Sequence, residues 1–307
     1  MQADPVRLRL EASTACQLRC PTCATSRGLV HSSLGTGLLS LESFLQLLNK
    51  NPQIRSVELS NYGEVFLNPQ LCEILRAAHE RNVEITMSNG VNLNRASLEA
   101  LQALVDYQVR RITVALDGVT QETYARYRVR GQLETVIGHV QELNRLKAEK
   151  GSRFPVLTWQ FVLFEHNAHE VERARLWAAE LGMEFFLKPD WKTRPVLPPA
   201  ENGHPRLEVK YCQQLWNEPQ VNFDGRLLGC CVNYWADLGS NVFESSLRAA
   251  VNEPRMRYAR AMLLGLAPPR SDIACTRCGY YLSMLESGQW MTVEEATAPP
   301  PSFQVGS

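Results

Sequence analysis

The sequence predicts an α/β protein. A parallel sheet curls into a partial (β/α)6, TIM-like barrel, and a small C-terminal module built from a β-hairpin and a helix follows it. Three observations lead there. Six short β-rich runs alternate with helical segments between residues 6 and 188, the pattern of a parallel sheet with right-handed crossovers. Past a Pro-rich stretch at 189–208 the alternation stops and a hairpin signal appears. The nine cysteines fall into two groups, at 16–23 and 212–278, with Cys72 alone between them. Six strands suit a partial barrel better than a closed one of eight, and chemistry is then expected at the C-terminal strand ends.

The strands are read in order at Val6–Ser13 (VRLRLEAS), Arg55–Ser60 (RSVELS), Val83–Ser88 (VEITMS), Arg110–Leu116 (RRITVAL), Val156–Phe164 (VLTWQFVLF) and Met183–Leu187 (MEFFL). Helical segments separate them. LSLESFLQLLNK starts at Ser40, whose hydroxyl suits an N-cap. NPQLCEILRAAHERN opens with Asn68-Pro69, read as a cap followed by Pro at the first helical position. NRASLEALQALVDY, QLETVIGHVQELNRLKAEK and NAHEVERARLWAAELG follow, the last closed by Gly182. The polar, Pro-rich PDWKTRPVLPPAENGHPRLE reads as a linker. PQVNFDGRLLGCC reads as a hairpin turning at Asp224-Gly225, and SSLRAAVNEPRMRYARAMLLG as a helix broken before Pro254. The chain divides into a core at 1–190, a linker at 191–208, a cysteine module at 209–285 and a disordered tail at 286–307.

Composition excludes several classes. The chain has 307 residues, 45% hydrophobic, with 32 basic and 32 acidic side chains. No Lys/Arg block points to nucleic acid or an anionic membrane surface. No run of about 18 apolar residues predicts a transmembrane helix, and the N-terminus lacks the apolar stretch of a signal peptide. A cytoplasmic location is expected. Disulfides are disfavoured there, so clustered cysteines read first as metal ligands or redox groups.

CQLRCPTC places Cys16, Cys20 and Cys23 in the loop after the first strand. Thiolates bind zinc or iron–sulfur clusters. Structural zinc takes four ligands, and no histidine lies nearer than His31. Three thiolates on a four-iron cluster leave one iron without a protein ligand, and an open position marks a catalytic metal site.

A Cx3CxxC loop after the first strand of a β/α chain resembles the radical S-adenosylmethionine (SAM) enzymes. The resemblance spans roughly residues 6–190. It implies that Cys16, Cys20 and Cys23 hold a [4Fe-4S] cluster whose fourth iron binds the amino and carboxylate groups of SAM. It implies reductive cleavage of SAM to a 5′-deoxyadenosyl radical, which takes a hydrogen atom from substrate. NYGEVFLNP resembles the family's GGE-type motif, implying that Gly63 and Glu64 lie near the SAM ammonium, where a carboxylate is a sensible acceptor. TMSNG resembles the TNG-type segment, implying SAM contacts for Ser88 and Asn89. VALDGVTQETYARYRVRG resembles the segment after the fourth strand, with Ala115 where the family usually has Ser, and offers Arg128 for the SAM carboxylate. QFVLFEHNAHEV resembles the fifth-strand segment, with Gln160 as polar support and Val162 or Leu163 against adenine. The family also implies an electron donor such as flavodoxin or ferredoxin.

Cys212, Cys230, Cys275 and Cys278 are separated by 17, 44 and 2 residues. Four thiols closed by a CxxC suit zinc or a fully ligated [4Fe-4S] cluster, and spacing does not separate the two. The hairpin, helix and CTRC together resemble the twitch module, a truncated SPASM domain holding one auxiliary cluster, so the resemblance implies two [4Fe-4S] clusters in all. One of Cys230 and Cys231 is expected to ligate iron. In extended backbone adjacent side chains point to opposite sides, leaving Cys231 as a small buried residue or a hydrogen-atom donor to a substrate radical. Cys72 reads as structural, the six histidines as scattered, and Arg255, Arg257 and Arg260 as a solvated helix face.

The leading reading is epimerisation of a polar substrate, a sugar, an aminocyclitol or a short peptide, in natural-product biosynthesis, with Cys231 as hydrogen donor. Dehydrogenation of a carbinol with the auxiliary cluster as electron acceptor is the alternative. Peptide crosslinking is a third, weakened by the chain opening almost at its first strand, where no peptide-recognition domain fits. An electron carrier or zinc scaffold would leave the Gly-Glu, Ser-Asn-Gly and Arg128 landmarks without a purpose.

Overall fold

The computed structural model describes residues 2–190, 196–197, 206–207 and 212–298. Most of the expected linker therefore lies outside the described residues. The strands are β1 (Arg7–Leu10), β2 (Ser56–Glu58), β3 (Glu84–Val91), β4 (Arg111–Ala115), β5 (Val156–Leu163) and β6 (Glu184–Pro189), then the short antiparallel pair β7 (Val196–Leu197) and β8 (Arg206–Leu207), and β9 (Gln220–Val221). Their seven-stranded sheet has the order β6-β5-β4-β3-β2-β1-β9, and every pairing in it is parallel.

Helices cross between the strands: α1 (Leu29–Leu34) and α2 (Leu41–Lys50), α3 (Leu71–Glu80), α4 (Leu98–Asp106), α5 (Gln121–Tyr127) and α6 (Leu133–Lys150), and α7 (Val171–Glu180). Past the sheet come α8 (Gln214–Asn217), α9 (Leu247–Ala250), α10 (Pro254–Leu263), α11 (Gly279–Ser287) and α12 (Val293–Thr297). Ser40, Ser97 and Thr120 cap α2, α4 and α5, each accepting the backbone N–H three residues on. No helix among the described residues is long and apolar enough to cross a membrane.

Strand alternation divides the sheet. Leu8, Leu10, Val57, Ile85, Met87, Ile112, Val114, Trp159 and Phe161 belong to the buried apolar core. Trp159 is wholly buried and its indole N–H donates to the Leu116 carbonyl at 2.7 Å. The alternate residues are polar: Arg9 and Glu11, Glu58 and Ser60, Thr86 and Ser88, Thr158 and Gln160. Polar groups on the second face need partners there. Glu58 accepts from Ser60 Oγ at 2.6 Å, Thr86 Oγ1 at 2.7 Å and the Ser88 N–H at 2.9 Å.

Four details differ from the sequence expectation. The hairpin at Asp224-Gly225 forms (Asn222 N–H to Arg226 O, 2.9 Å), but its first arm is β9, which extends the sheet beside β1 with Arg9 opposite Gln220. The cysteine module is thus continuous with the core sheet. Asn68 does not cap α3, whose N-cap is Gln70; Asn68 Nδ2 is drawn to the carbonyls of Ala12 and Leu39 at 2.9 and 2.8 Å. Arg260 is wholly buried, not part of a solvated face, because it donates to Leu215 O and Asn252 Oδ1 at 3.1 Å each. Burial lowers its pKa to about 10, with Arg257 adding to the effect. The expected disordered tail holds structure over residues 286–298, and residues 299–307 lie outside the described residues. A Thr292/Glu295 capping box starts α12, and Gln213 Nε2 donates to Glu295 O at 2.6 Å.

Candidate functional site

The loop after β1 carries Cys16, Cys20 and Cys23, and the Cys23 N–H donates to Cys20 O at 3.2 Å. The Cys20 and Cys23 charges raise Cys16, and the Cys23 charge raises Cys20. Burial, then the Glu64 charge, pushes Cys16 up to about 12; burial outweighs the Arg128 charge to push Cys20 up. Three thiols in eight residues, Cys20 buried and Cys16 and Cys23 half-buried, are a donor set that a cationic metal centre would satisfy. No group of three His, Cys, Asp or Glu among the described residues converges on a single ion. A four-iron cluster binds each thiolate through a different iron, so that arrangement is not required of it.

The neighbouring strand ends close around this loop. Gly63 packs directly beneath it: a Cβ there would collide with Ser13 O and lie 2.6 Å from Ala15 O. Its missing side chain makes room for the cysteine loop's own backbone. Glu64 is buried, its backbone N–H donates to Ala15 O at 2.8 Å, and Oε2 accepts from the Asn92 N–H at 2.8 Å. Burial pushes Glu64 up to about 7 against the Asn92 and Phe66 N–H groups and Arg128. Ser88 gives its N–H to Glu58, and Asn89 Nδ2 donates to Asn61 Oδ1 at 2.9 Å. Arg128 Nε donates to Asp117 Oδ2 at 2.6 Å and Nη1 lies 3.9 Å from Cys20 Sγ. Burial opposes the Arg128 charge, but Asp117 and then Cys20 outweigh it and raise its pKa. Val162 is buried and its N–H donates to Asp117 Oδ1 at 2.7 Å; Gln160 Oε1 accepts from Lys188.

The thiols of the second cysteine group lie close enough to feel one another's charge. Burial raises Cys212, Cys230 and Cys275. After burial, Cys275 and Cys278 act on Cys212, and Cys230 and Cys278 act on Cys275. Cys231 is held by Gln214, which accepts its N–H at 2.8 Å and donates to its Sγ at 3.2 Å. Cys72 is half-buried against the helical core.

The family model of the radical SAM superfamily matches residues 10–177. This chain belongs to the radical SAM superfamily. No curated protein matches it in sequence. Among solved structures, Streptococcus suis SuiB bound to S-adenosylmethionine matches with a TM-score of 0.64 at 13% identity, over 91% of this chain and 72% of that one. Native anSMEcpe with bound AdoMet gives 0.57 at 12% identity, over 91% and 96%. BtrN in complex with AdoMet and 2-DOIA gives 0.54 at 13%, over 89% and 93%. At these identities the likeness is one of fold.

Radical SAM membership brings SAM and one [4Fe-4S] cluster as cofactors, and the Cys16, Cys20 and Cys23 donors fit that cluster. Several residues around this radical SAM loop were not singled out in the sequence. Glu11, wholly buried, accepts the N–H groups of Tyr62 at 2.9 Å and Gly63 at 3.3 Å. Asn92 places Nδ2 3.8 Å from Cys16 Sγ and accepts from Gln17 Nε2 at 2.7 Å. Asp117 holds Arg128 and Val162. Glu11 carried a signal, an acidic side chain continuing the polar positions of Arg7 and Arg9 along the first strand. Asn92 and Gln214 carried none, since only folding brings them to their cysteines.

Gly63→Ala is expected to cost at least about 1–3 kcal/mol of stability through overpacking against backbone and to lower iron retention at the first site, read by denaturation and iron assay; unchanged values would refute the packing argument. Burial pushes Glu11 up to about 8, above its unfolded value of about 4.5. The folded chain therefore holds that proton more tightly, and stability falls as pH rises between those values. In cluster-free protein, Glu11→Gln should flatten that slope by on the order of 1 kcal/mol per pH unit, read by urea denaturation from pH 5 to 8; a slope equal to wild type contradicts it.

Proposed function

We propose that this radical SAM protein is a two-cluster enzyme that abstracts a hydrogen atom from a small polar substrate or short peptide and epimerises it. When bound, the first cluster supplies the electron that splits SAM into methionine and a 5′-deoxyadenosyl radical. The chain's own residues then have distinct tasks. Arg128, anchored by Asp117, faces the SAM carboxylate, and Glu64 accepts from the SAM ammonium. Cys212, Cys230, Cys275 and Cys278 hold the auxiliary [4Fe-4S] cluster. Cys231 returns the hydrogen: its S–H bond breaks, a C–H bond forms on the opposite face of the substrate carbon, and one external electron and one proton restore the thiol. A flavodoxin or ferredoxin serves as electron donor.

The observation that carries this reading is the hold of Gln214 on both the sulfur and the amide of Cys231. Turnover in heavy water should place deuterium at the inverted carbon, and Cys231→Ala should form 5′-deoxyadenosine but no epimer. Epimer from that variant would end the proposal. Dehydrogenation of a carbinol, with the auxiliary cluster as electron acceptor, is the alternative reading, and the chain shares its fold with BtrN, a protein seen in complex with AdoMet and 2-DOIA. Peptide maturation finds support in the likeness to SuiB bound to its precursor peptide SuiA, with a TM-score of 0.64 at 11% identity, over 92% of this chain and 71% of that one.

A further inference from the structure

Two segments without a carboxylate of their own meet at the outer edge of the first cysteine loop. Residues 12–41 contain no Asp or Glu, and neither do residues 123–133. The whole chain carries 32 basic and 32 acidic side chains, so the imbalance is local. The second segment is the end of α5 and the turn after it. The Arg19 N–H donates to Val129 O at 3.1 Å, and Thr22 Oγ1 and Tyr127 OH share a hydrogen bond of 2.7 Å. These bonds hold the middle of CQLRCPTC against YARYRVRG.

The seam is positive and open to solvent. Arg19 is exposed on one side of it and Arg126 and Arg130 on the other, and Arg27 is exposed four residues past Cys23. Arg19 Nη1 donates to the carbonyls of Cys16 and Leu18 at 3.4 and 3.3 Å, which leaves its charge without a counter-ion. Among the described residues, none of these four arginines has a carboxylate within ion-pair distance. Elsewhere Arg110 pairs with Glu84, Arg145 with Glu142 and Glu149, and Arg270 with Asp272. Arg128, in the same segment, is buried and neutralised by Asp117. Uncompensated charges grouped on one surface raise the local potential and attract a partner of opposite sign.

We infer that this surface is where an acidic one-electron carrier protein docks, reaching the Cys16–Cys23 loop from its solvent side; the assignment rests on the reading that such a carrier reduces the first cluster. It depends neither on the auxiliary cluster nor on the reaction that follows SAM cleavage. The carrier loses one electron, the first cluster gains it, and no covalent bond forms or breaks. Transfer between proteins requires close approach to the cluster, and the loop that holds the three thiols lies directly beneath these arginines' backbone. Opposite charge speeds that encounter more than it tightens the final complex.

The test gives the reconstituted protein two donors: reduced flavodoxin, an acidic protein, and reduced methyl viologen, a small cation that needs no docking surface. Combining Arg126→Glu with Arg130→Glu should slow 5′-deoxyadenosine formation from SAM about tenfold with limiting flavodoxin at low salt. Arg19→Glu should act in the same direction by less. Iron content and the rate with methyl viologen should stay at wild type in both. Binding of dye-labelled flavodoxin, read by fluorescence anisotropy, should weaken in parallel. The gap from wild type should close between about 0.1 and 1 M salt, as the screening length falls from about 10 to about 3 Å. Combining Arg76→Glu with Arg173→Glu makes the same charge change at exposed positions of α3 and α7 and should alter neither rate nor binding. Equal loss with both donors would assign the seam arginines to the cluster or SAM site and overturn the inference. Wild-type flavodoxin binding in the seam variants, or equal weakening in the α3 and α7 variant, would overturn it too. If wild type forms no deoxyadenosine with methyl viologen, the SAM-cleavage reading falls instead, and the anisotropy comparison still decides the surface.

Discussion

Cys16→Ala should reduce 5′-deoxyadenosine formation from SAM to the enzyme-free background, and iron content should fall by about four per chain. The reason is stoichiometric. The first loop offers Cys16, Cys20 and Cys23, and a cluster that must leave one iron for SAM has no protein ligand to spare. Asn92 Nδ2 lies 3.8 Å from Cys16 Sγ, but an amide nitrogen is no replacement for a thiolate on iron. The fold should survive, because Cys16 is half-buried in a loop and the helical core does not include it. Circular dichroism and a melting curve close to wild type would locate the loss in the cluster. Deoxyadenosine at the wild-type rate would remove Cys16 from the ligand set.

Asp117→Ala should destabilise the cluster-free protein by about 3–5 kcal/mol, the cost of leaving one partner of a buried ion pair alone. Asp117 is wholly buried and Arg128 nearly so, at 0% and 13% side-chain exposure. The carboxylate accepts both Arg128 Nε at 2.6 Å and the Val162 N–H at 2.7 Å, so its loss strips a guanidinium and a strand-end amide of their acceptor together. Asp117→Asn keeps an oxygen for Val162 and loses the charge, and should cost less. Urea denaturation of both variants gives the comparison. A cost under about 1 kcal/mol for Asp117→Ala would place it with exposed pairs and refute the buried-pair account. Because Arg128 Nη1 also lies near Cys20, SAM binding should weaken in parallel.

Much of the core was legible because it is local. Strand and helix periodicity is a property of neighbouring residues, so six parallel strands and the helices between them followed from short windows, with ends displaced by a few residues. Ser40 and Ser97 cap their helices through bonds spanning three residues. Asn68 misled because its side chain bonds Ala12 and Leu39, 56 and 29 residues away. Arg260 misled for the same kind of reason: its helix packs against the segment at Leu215, and no pattern of charge along the helix records that.

The sequence by itself determined the chemistry available to this protein: three thiols in eight residues after a first strand, a second set of four, and Gly63-Glu64, Ser88-Asn89 and Arg128 toward or after the ends of successive strands. Thiol count and spacing are written in the chain and need no fold to be read. Only the tertiary structure decided how those groups are held. It set Gly63 against the cysteine loop's backbone, joined β9 to β1 so that the second cysteine group continues the sheet, and put Gln214 and Asn61 on either side of Cys231. Those contacts join residues 17 and 170 positions apart, and a hydrogen bond depends on distance and direction in space, which spacing along the chain does not encode.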